Sequence, residues 1–204
     1  MIYLGATKIG RMFLGGTEIA KAYLGSDLVF QKGGQPQPVE HTLNVLLSSY
    51  DSTDKSYYNI TGVSNAYLDP DTNSSTSSVC GVVMKRGSNA ETWCYFKFDT
   101  SALPADATIV SVACKARTGI STTSTTYVTS KGCVMCSGTT VKTPSITVSN
   151  NGYLRSFETG NWTLEELRDV RVKLYGTRGT TNTSSNYALR MYGAELTIVY
   201  TTPS

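Results

Sequence analysis

The chain has 204 residues, a formal charge of +3, and only 16% charged residues. That length suits one main domain with a small extra piece. Lys and Arg never run longer than two, so the basic stripe of a nucleic-acid binder is missing. No apolar run reaches the roughly 18 residues of a membrane-spanning helix, and Lys8, Arg11, Glu18 and Lys21 break up any signal-peptide core. The expectation is a chain made in the cytoplasm without an export signal. Clusters of Ser, Thr, Asn and Gly between short apolar runs predict many short strands joined by polar loops.

The first thirty residues carry an internal repeat. Tyr3-Leu4-Gly5, Phe13-Leu14-Gly15 and Tyr23-Leu24-Gly25 recur at ten-residue intervals. Each triplet is followed by a small or polar pair and then by Ile9, Ile19 or Val29. Ten residues accommodate one strand of about six residues and one tight turn, so residues 1–31 read as a small meander. So small a meander buries little area, and both of its faces carry large apolar groups. Tyr3, Leu4, Phe13, Leu14, Tyr23 and Leu24 are therefore the candidate docking or oligomerisation residues. A second copy or a neighbour in an assembly would cover them; the alternative is that the segment folds back on the rest of the chain. Residues 32–38, Lys-Gly-Gly-Gln-Pro-Gln-Pro, form a linker that pairs a glycine swivel with an extended Pro-x-Pro portion.

A second unit spans residues 39–204. Strands are predicted at 42–47, 80–85, 92–98, 107–117, 132–136, 145–149 and 171–175, and as two strands, 187–192 and 194–200, broken at Gly193. In 92–98, Cys94, Phe96 and Phe98 should face the core, with Trp93, Tyr95 and Lys97 opposite. Residues 48–78 read as a polar stretch with a turn at 68–71 and a loop over 72–78. Thr163-Leu164-Glu165-Glu166 is a capping box, the one helix signal. The whole predicts an all-β fold: the small N-terminal repeat followed by an antiparallel, jelly-roll-like β-sandwich with one short helix.

Little in the sequence points to reaction chemistry. His41 is the sole histidine, which argues against a Ser-His-Asp set. Of five cysteines, Cys133 and Cys136 form a lone Cys-x-x-Cys pair, too few ligands for zinc. Their odd spacing places them on opposite faces of a strand as buried free thiols. Asp69, Asp71 and Asn73 alternate like the start of a calcium loop, but Pro70 intrudes and Ser74 stands where the loop needs glycine, so they read as a solvated turn. Glu165 and Glu166 are explained by the helix start. No metal or cofactor is expected. Tyr57, Tyr58, Tyr67 and Tyr127 lie in polar surroundings and are the candidate ligand-contact aromatics, with packing on the sandwich rim as the alternative.

Two stretches resemble known families. Residues 96–112, Phe-Lys-Phe-Asp-Thr-Ser-Ala-Leu-Pro-Ala-Asp-Ala-Thr-Ile-Val-Ser-Val, resemble the strand-loop-strand signature of carbohydrate-binding-like jelly-roll modules found in cell-surface and phage appendage proteins. The ending, Met191 to Tyr200, is similar to the close of such modules. The aromatic-Leu-Gly repeat resembles the start of virion structural proteins of gut bacteriophages, which serve in tails, baseplates or head fibres. These resemblances imply a non-enzymatic virion protein, attached or oligomerised through residues 1–31 and displaying its sandwich as fibre, adhesin or decoration. The implied partners are other virion proteins, further copies (a homotrimer by analogy with fibres) and a bacterial surface glycan, with no nucleic acid. A stand-alone carbohydrate-binding module and a glycan-degrading enzyme are the competing expectations.

Overall fold

A computed structural model describes residues 3–4, 7–8, 13–14, 17–19, 21–24, 27–31, 38–56, 59–73, 79–84, 91–121, 127–149, 152–179 and 187–203. The described residues form an all-β fold, as expected, whose named strands all pair antiparallel, with one short helix and one 3-10 turn among them.

The repeat forms three hairpins rather than one strand per unit. Strands β1 (Tyr3–Leu4) and β2 (Thr7–Lys8), β3 (Phe13–Leu14) and β4 (Thr17–Glu18), and β5 (Lys21–Leu24) and β6 (Asp27–Gln31) each pair with one another. Leu4 pairs with Thr7, Leu14 with Thr17 and Leu24 with Asp27. The sequences between them are Gly-Ala, Gly-Gly and Gly-Ser, and a leading glycine is what two-residue hairpin connections favour. So short a closure carries little loop entropy, and each unit therefore turns back on itself.

The rest is a β-sandwich built from β7 (Val39–Ser56), β8 (Asn59–Thr61), β9 (Cys80–Val83), β10 (Glu91–Phe98), β11 (Thr108–Ile120), β12 (Val128–Ser137), β13 (Thr140–Val141), β14 (Tyr153–Ser156), β15 (Val170–Arg178) and β16 (Ala188–Thr202). The hydrogen-bonded order is β13-β12-β15-β10-β7-β16-β11-β14, with β9 adding to β16 and β8 to β9. Strand β7 links the two layers: residues 39–46 pair with β16, and residues from Leu47 onward pair with β10. The strand predicted at 42–47 therefore extends nine residues further. Its polar second half is held by β10, a partner that period-two reading within 48–56 cannot reveal.

Between the layers lies a continuous apolar core that includes Leu47, Phe96, Phe98, Met135, Leu174, Leu196 and Ile198. Cys94, Phe96 and Phe98 face it as predicted. Cys133 enters this core while Cys136 joins a separate cluster on the outer side, so the pair does point to opposite faces. All five cysteines are buried and free. Desolvation pushes the Cys80 and Cys94 thiols up to about 12 and Cys136 to about 11, and raises Cys114 and Cys133 as well.

Helix α1 (Leu164–Leu167) is closed by the predicted capping box: Thr163 Oγ1 accepts the Glu166 amide at 3.2 Å, and Glu166 Oε2 accepts the Thr163 amide at 2.9 Å. Residues 99–103 make structural contacts with helix α1 and the core. Asp99 Oδ1 accepts the Ser101 amide, Thr100 Oγ1 donates to the Leu167 carbonyl at 2.7 Å, and Leu103 is buried. Arg168 of α1 donates to the Thr100 and Leu103 carbonyls, which clamps this loop to the helix.

One expected break does not occur. Strand β16 runs through Gly193 without ending, because the chain bulges there: Arg117 pairs with Gly193 and Thr118 with Met191. Gly193 adopts φ 152°, and a Cβ at this site would meet the Leu68 carbonyl oxygen at 2.2 Å. Substitution Gly193→Ala should cost about 2 kcal/mol, read as a lower urea midpoint with unchanged m-value. An unshifted midpoint would contradict the close approach. The native chain should also leave a thiol reagent such as DTNB unreacted, and release five equivalents only after unfolding. Rapid labelling of any native cysteine would contradict their burial.

Candidate functional site

The outward face of the β10–β15 layer carries aromatic and charged side chains together. Alternation turns Trp93, Tyr95 and Lys97 outward from β10 and Arg171, Lys173 and Tyr175 outward from β15. Register places Trp93 opposite Tyr175, Tyr95 opposite Lys173, and Lys97 opposite Arg171. Strand β12 continues the face with Gly132 beside Tyr175, Val134 beside Lys173 and Cys136 beside Arg171. Tyr95, Val134 and Cys136 are buried into a small outer cluster, against which the half-buried Trp93 and Tyr175 rest.

Each ring has a defined neighbour. Trp93 and Tyr95 meet edge-on with centroids 5.6 Å apart. The Lys173 ammonium lies 5.3 Å from the Tyr175 centroid and 5.9 Å from that of Trp93, and Glu91 holds it at 2.7 Å. The Tyr175 hydroxyl donates to Ser145 Oγ at 2.9 Å. Tyr175 lies close over Gly132, where a Cβ would come within 2.4 Å of its hydroxyl oxygen; the missing side chain makes room for the ring.

The other end of the face is an ionic network built by a large bulge in β7. Lys55 pairs with Cys94 and Tyr50 with Phe96, so residues 51–54 stand opposite Tyr95 alone. Asp51 caps this bulge, accepting the Thr53 amide at 2.9 Å and its hydroxyl at 2.7 Å. The bulge delivers Asp51 and Asp54 to Arg171 Nη1, both at 2.9 Å. Asp169 takes the guanidinium's other edge through both oxygens. Lys97 Nζ adds a contact to Asp51 at 3.3 Å. The Thr53 hydroxyl and amide, followed by Lys97, hold the Asp51 carboxyl well below the usual carboxylate range. Bonding to Asp169, together with the nearby Asp51 and Asp54 charges, raises Arg171. The Arg171 guanidinium also lies 5.7 Å from the Tyr95 centroid.

The residues singled out by sequence are placed elsewhere or fall outside the description. Tyr57 and Tyr58 are outside the described residues. Tyr67 packs against the interior core from the 3-10 turn Val63–Tyr67, and burial raises its hydroxyl. Tyr127 also rests on that core and stacks on Tyr187 at 5.1 Å. The six residues expected to dock, Tyr3, Leu4, Phe13, Leu14, Tyr23 and Leu24, all lie in hairpin strands. The side-chain position is described for Leu14, which is 77% exposed. His41 is stacked on Tyr200 at 5.2 Å, with Nε2 3.0 Å from Thr202 Oγ1. Asp69 accepts the Asp71 amide, Asp71 pairs with Lys115, and Asn73 donates to the Tyr192 carbonyl, so these alternating polar residues form a turn pinned to the sheet. Among the described residues, no cluster of His, Cys, Asp and Glu could hold a metal ion.

A signal for the outward face was present in the sequence: Trp-x-Tyr-x-Lys at 93–97 and Arg-x-Lys-x-Tyr at 171–175 have the same alternation. Only the pairing of two strands far apart in sequence joins them into one surface.

No protein-family model matches the chain, and no curated protein and no solved structure matches it.

Because the folded Asp51 value is depressed, its contribution to stability is full above the unfolded value of about 3.9 and is lost as pH falls below it. The urea midpoint should therefore drop between pH 5 and pH 3. Asp51→Asn should be less stable at pH 7 and show a shallower acid slope. Parallel profiles for the two proteins would contradict the assignment.

Proposed function

We propose that the chain is a non-enzymatic structural protein of a phage particle, attached or oligomerised through residues 1–31 and displaying the sandwich of residues 39–204 at the particle surface. One observation carries this reading. Among the described residues, the N-terminal strands pair only within their own hairpins, and none adds to the sandwich. Two-stranded hairpins are marginal alone in water, so three in succession, with Leu14 largely exposed, call for a partner. A further copy supplies that partner most simply, and three-fold symmetry is the proposed state by analogy with fibres. The resemblance of the repeat to virion proteins supports the particle, and the resemblance of residues 96–112 to carbohydrate-binding-like modules supports a host-surface glycan as the displayed domain's target.

A stand-alone carbohydrate-binding module is the second reading, favoured by the outward pairing of Trp93 and Tyr175. The glycan-degrading alternative has less support. Glycoside hydrolysis needs one carboxyl with a raised pKa as general acid. On this face Glu91 is committed to Lys173 beside the rings, Asp51, Asp54 and Asp169 are committed to Arg171 at the far end, and Asp51 is shifted the opposite way.

Light scattering separates the first two readings. The full chain should have about three times the monomer mass, and residues 39–204 alone should be monomeric. A monomeric full chain whose truncation changes only its length would overturn the docking role.

A further inference from the structure

We propose that Trp93 and Tyr175, with the Glu91–Lys173 pair beside them, form a binding platform for a neutral saccharide chain. This deepens the reading of the sandwich as a glycan-contacting display domain and rests on it.

The first argument is shape. A pyranose ring has an apolar face of C–H groups and a rim of hydroxyls, and it needs a flat aromatic surface with polar groups at its edge. Trp93 and Tyr175 occupy directly opposed positions on adjacent strands, which places their Cβ atoms about 5 Å apart. Both remain half-buried, with the outer cluster of Tyr95, Val134 and Cys136 beneath them. Lys173 stands beside both rings as donor, Glu91 bonds to its ammonium as acceptor, and Ser145 fixes the Tyr175 hydroxyl. Groups already held by one another lose little further freedom when a ligand binds.

The second argument is charge. The array's three cations, Lys97, Arg171 and Lys173, are bonded to four carboxylates, Asp51, Asp54, Asp169 and Glu91. No excess of positive charge is left to attract a polyanion. A nucleic acid or acidic polysaccharide binds by replacing counterions with uncompensated Lys and Arg, which the described residues of this array do not supply. A neutral sugar needs no net field and uses the same paired groups as hydrogen-bond partners.

The third argument is size. A stable protein partner buries about 800 Å² on each side over an apolar centre. Two half-buried rings bordered by ion pairs offer much less apolar surface than that. They match the footprint of a few sugar units.

Tryptophan fluorescence provides the test. The chain has two tryptophans. Trp162 is buried and donates Nε1 to the Thr159 carbonyl at 2.7 Å, so a water-borne quencher reaches mainly Trp93. Acrylamide quenching of the full chain should be followed with hexaoses of glucose, mannose, xylose, galactose and N-acetylglucosamine. At least one should protect the accessible emission, with no loss of protection when salt is raised. Calorimetric affinity for that sugar should fall about tenfold in Trp93→Ala and in Tyr175→Ser. Trp93→Phe keeps a ring should the alanine variant fold poorly, and it should retain binding while losing the quenchable signal. Protection by none of the neutral hexaoses would overturn the proposal. So would affinity unchanged in both ring variants, or stronger, salt-sensitive protection by alginate oligomers or polyphosphate. None of these outcomes bears on oligomeric mass, so a failed platform leaves the docking result standing, and the reverse.

Discussion

Strand β7 has to serve two sheets, and the sandwich depends on that switch of partner. Its first half completes the layer of β16 and β11, and its second half the layer of β10 and β15. Leu47, at the point of exchange, is 2% exposed and belongs to the shared core. A strand that changes layers must bend, and bulges are how antiparallel strands bend. Leu47 pairs with Phe98 and Ser49 with Lys97, so Ser48 is the extra residue at the exchange itself. The larger bulge at residues 51–54 lies further along β7 and turns Asp51 and Asp54 outward to meet Arg171. Two irregularities in one strand thus serve the change of layer and the surface chemistry in turn.

Arg171 shows how this geometry constrains electrostatics. It is 8% exposed, and a guanidinium so placed is tolerable only when its donors are satisfied. Asp169 supplies a two-point contact from the strand's own start, and the bulge supplies two further carboxylates from across the sheet. Removing any one carboxylate leaves the others in place, whereas removing the arginine leaves three acids crowded together. The network thus anchors β15 against β7 across the intervening β10.

Local patterns in the sequence were enough to place many elements. The capping box at Thr163, the inward set Cys94, Phe96 and Phe98, and the opposed faces of Cys133 and Cys136 all follow from short-range rules, and the structure has them. Features that depend on distant partners were hidden. The extension of β7 past Leu47 depends on β10, and the continuity of β16 through Gly193 depends on the Leu68 carbonyl lying against it. The repeat was visible as a period, but whether ten residues make one strand or two depends on where the chain turns. Closing a hairpin over Gly-Ala, Gly-Gly or Gly-Ser is the more local solution. The candidate platform was hidden for a related reason: its two aromatic strands are far apart in sequence, so only their pairing brings Trp93 and Tyr175 together. Tyr67 and Tyr127 instead rest on the interior core.

Period-two alternation also bears on how this surface can evolve. In Trp-Cys-Tyr-Phe-Lys and Arg-Val-Lys-Leu-Tyr, every second letter belongs to the interior and the letters between belong to the exterior. The outer letters can be rewritten one at a time without disturbing the packing between the sheets. Arg171 is the exception, since two of its three carboxylates, Asp51 and Asp54, tie it to the bulge of β7. Substitution is thus freer at positions 93 and 175, while position 171 is held in place by the fold.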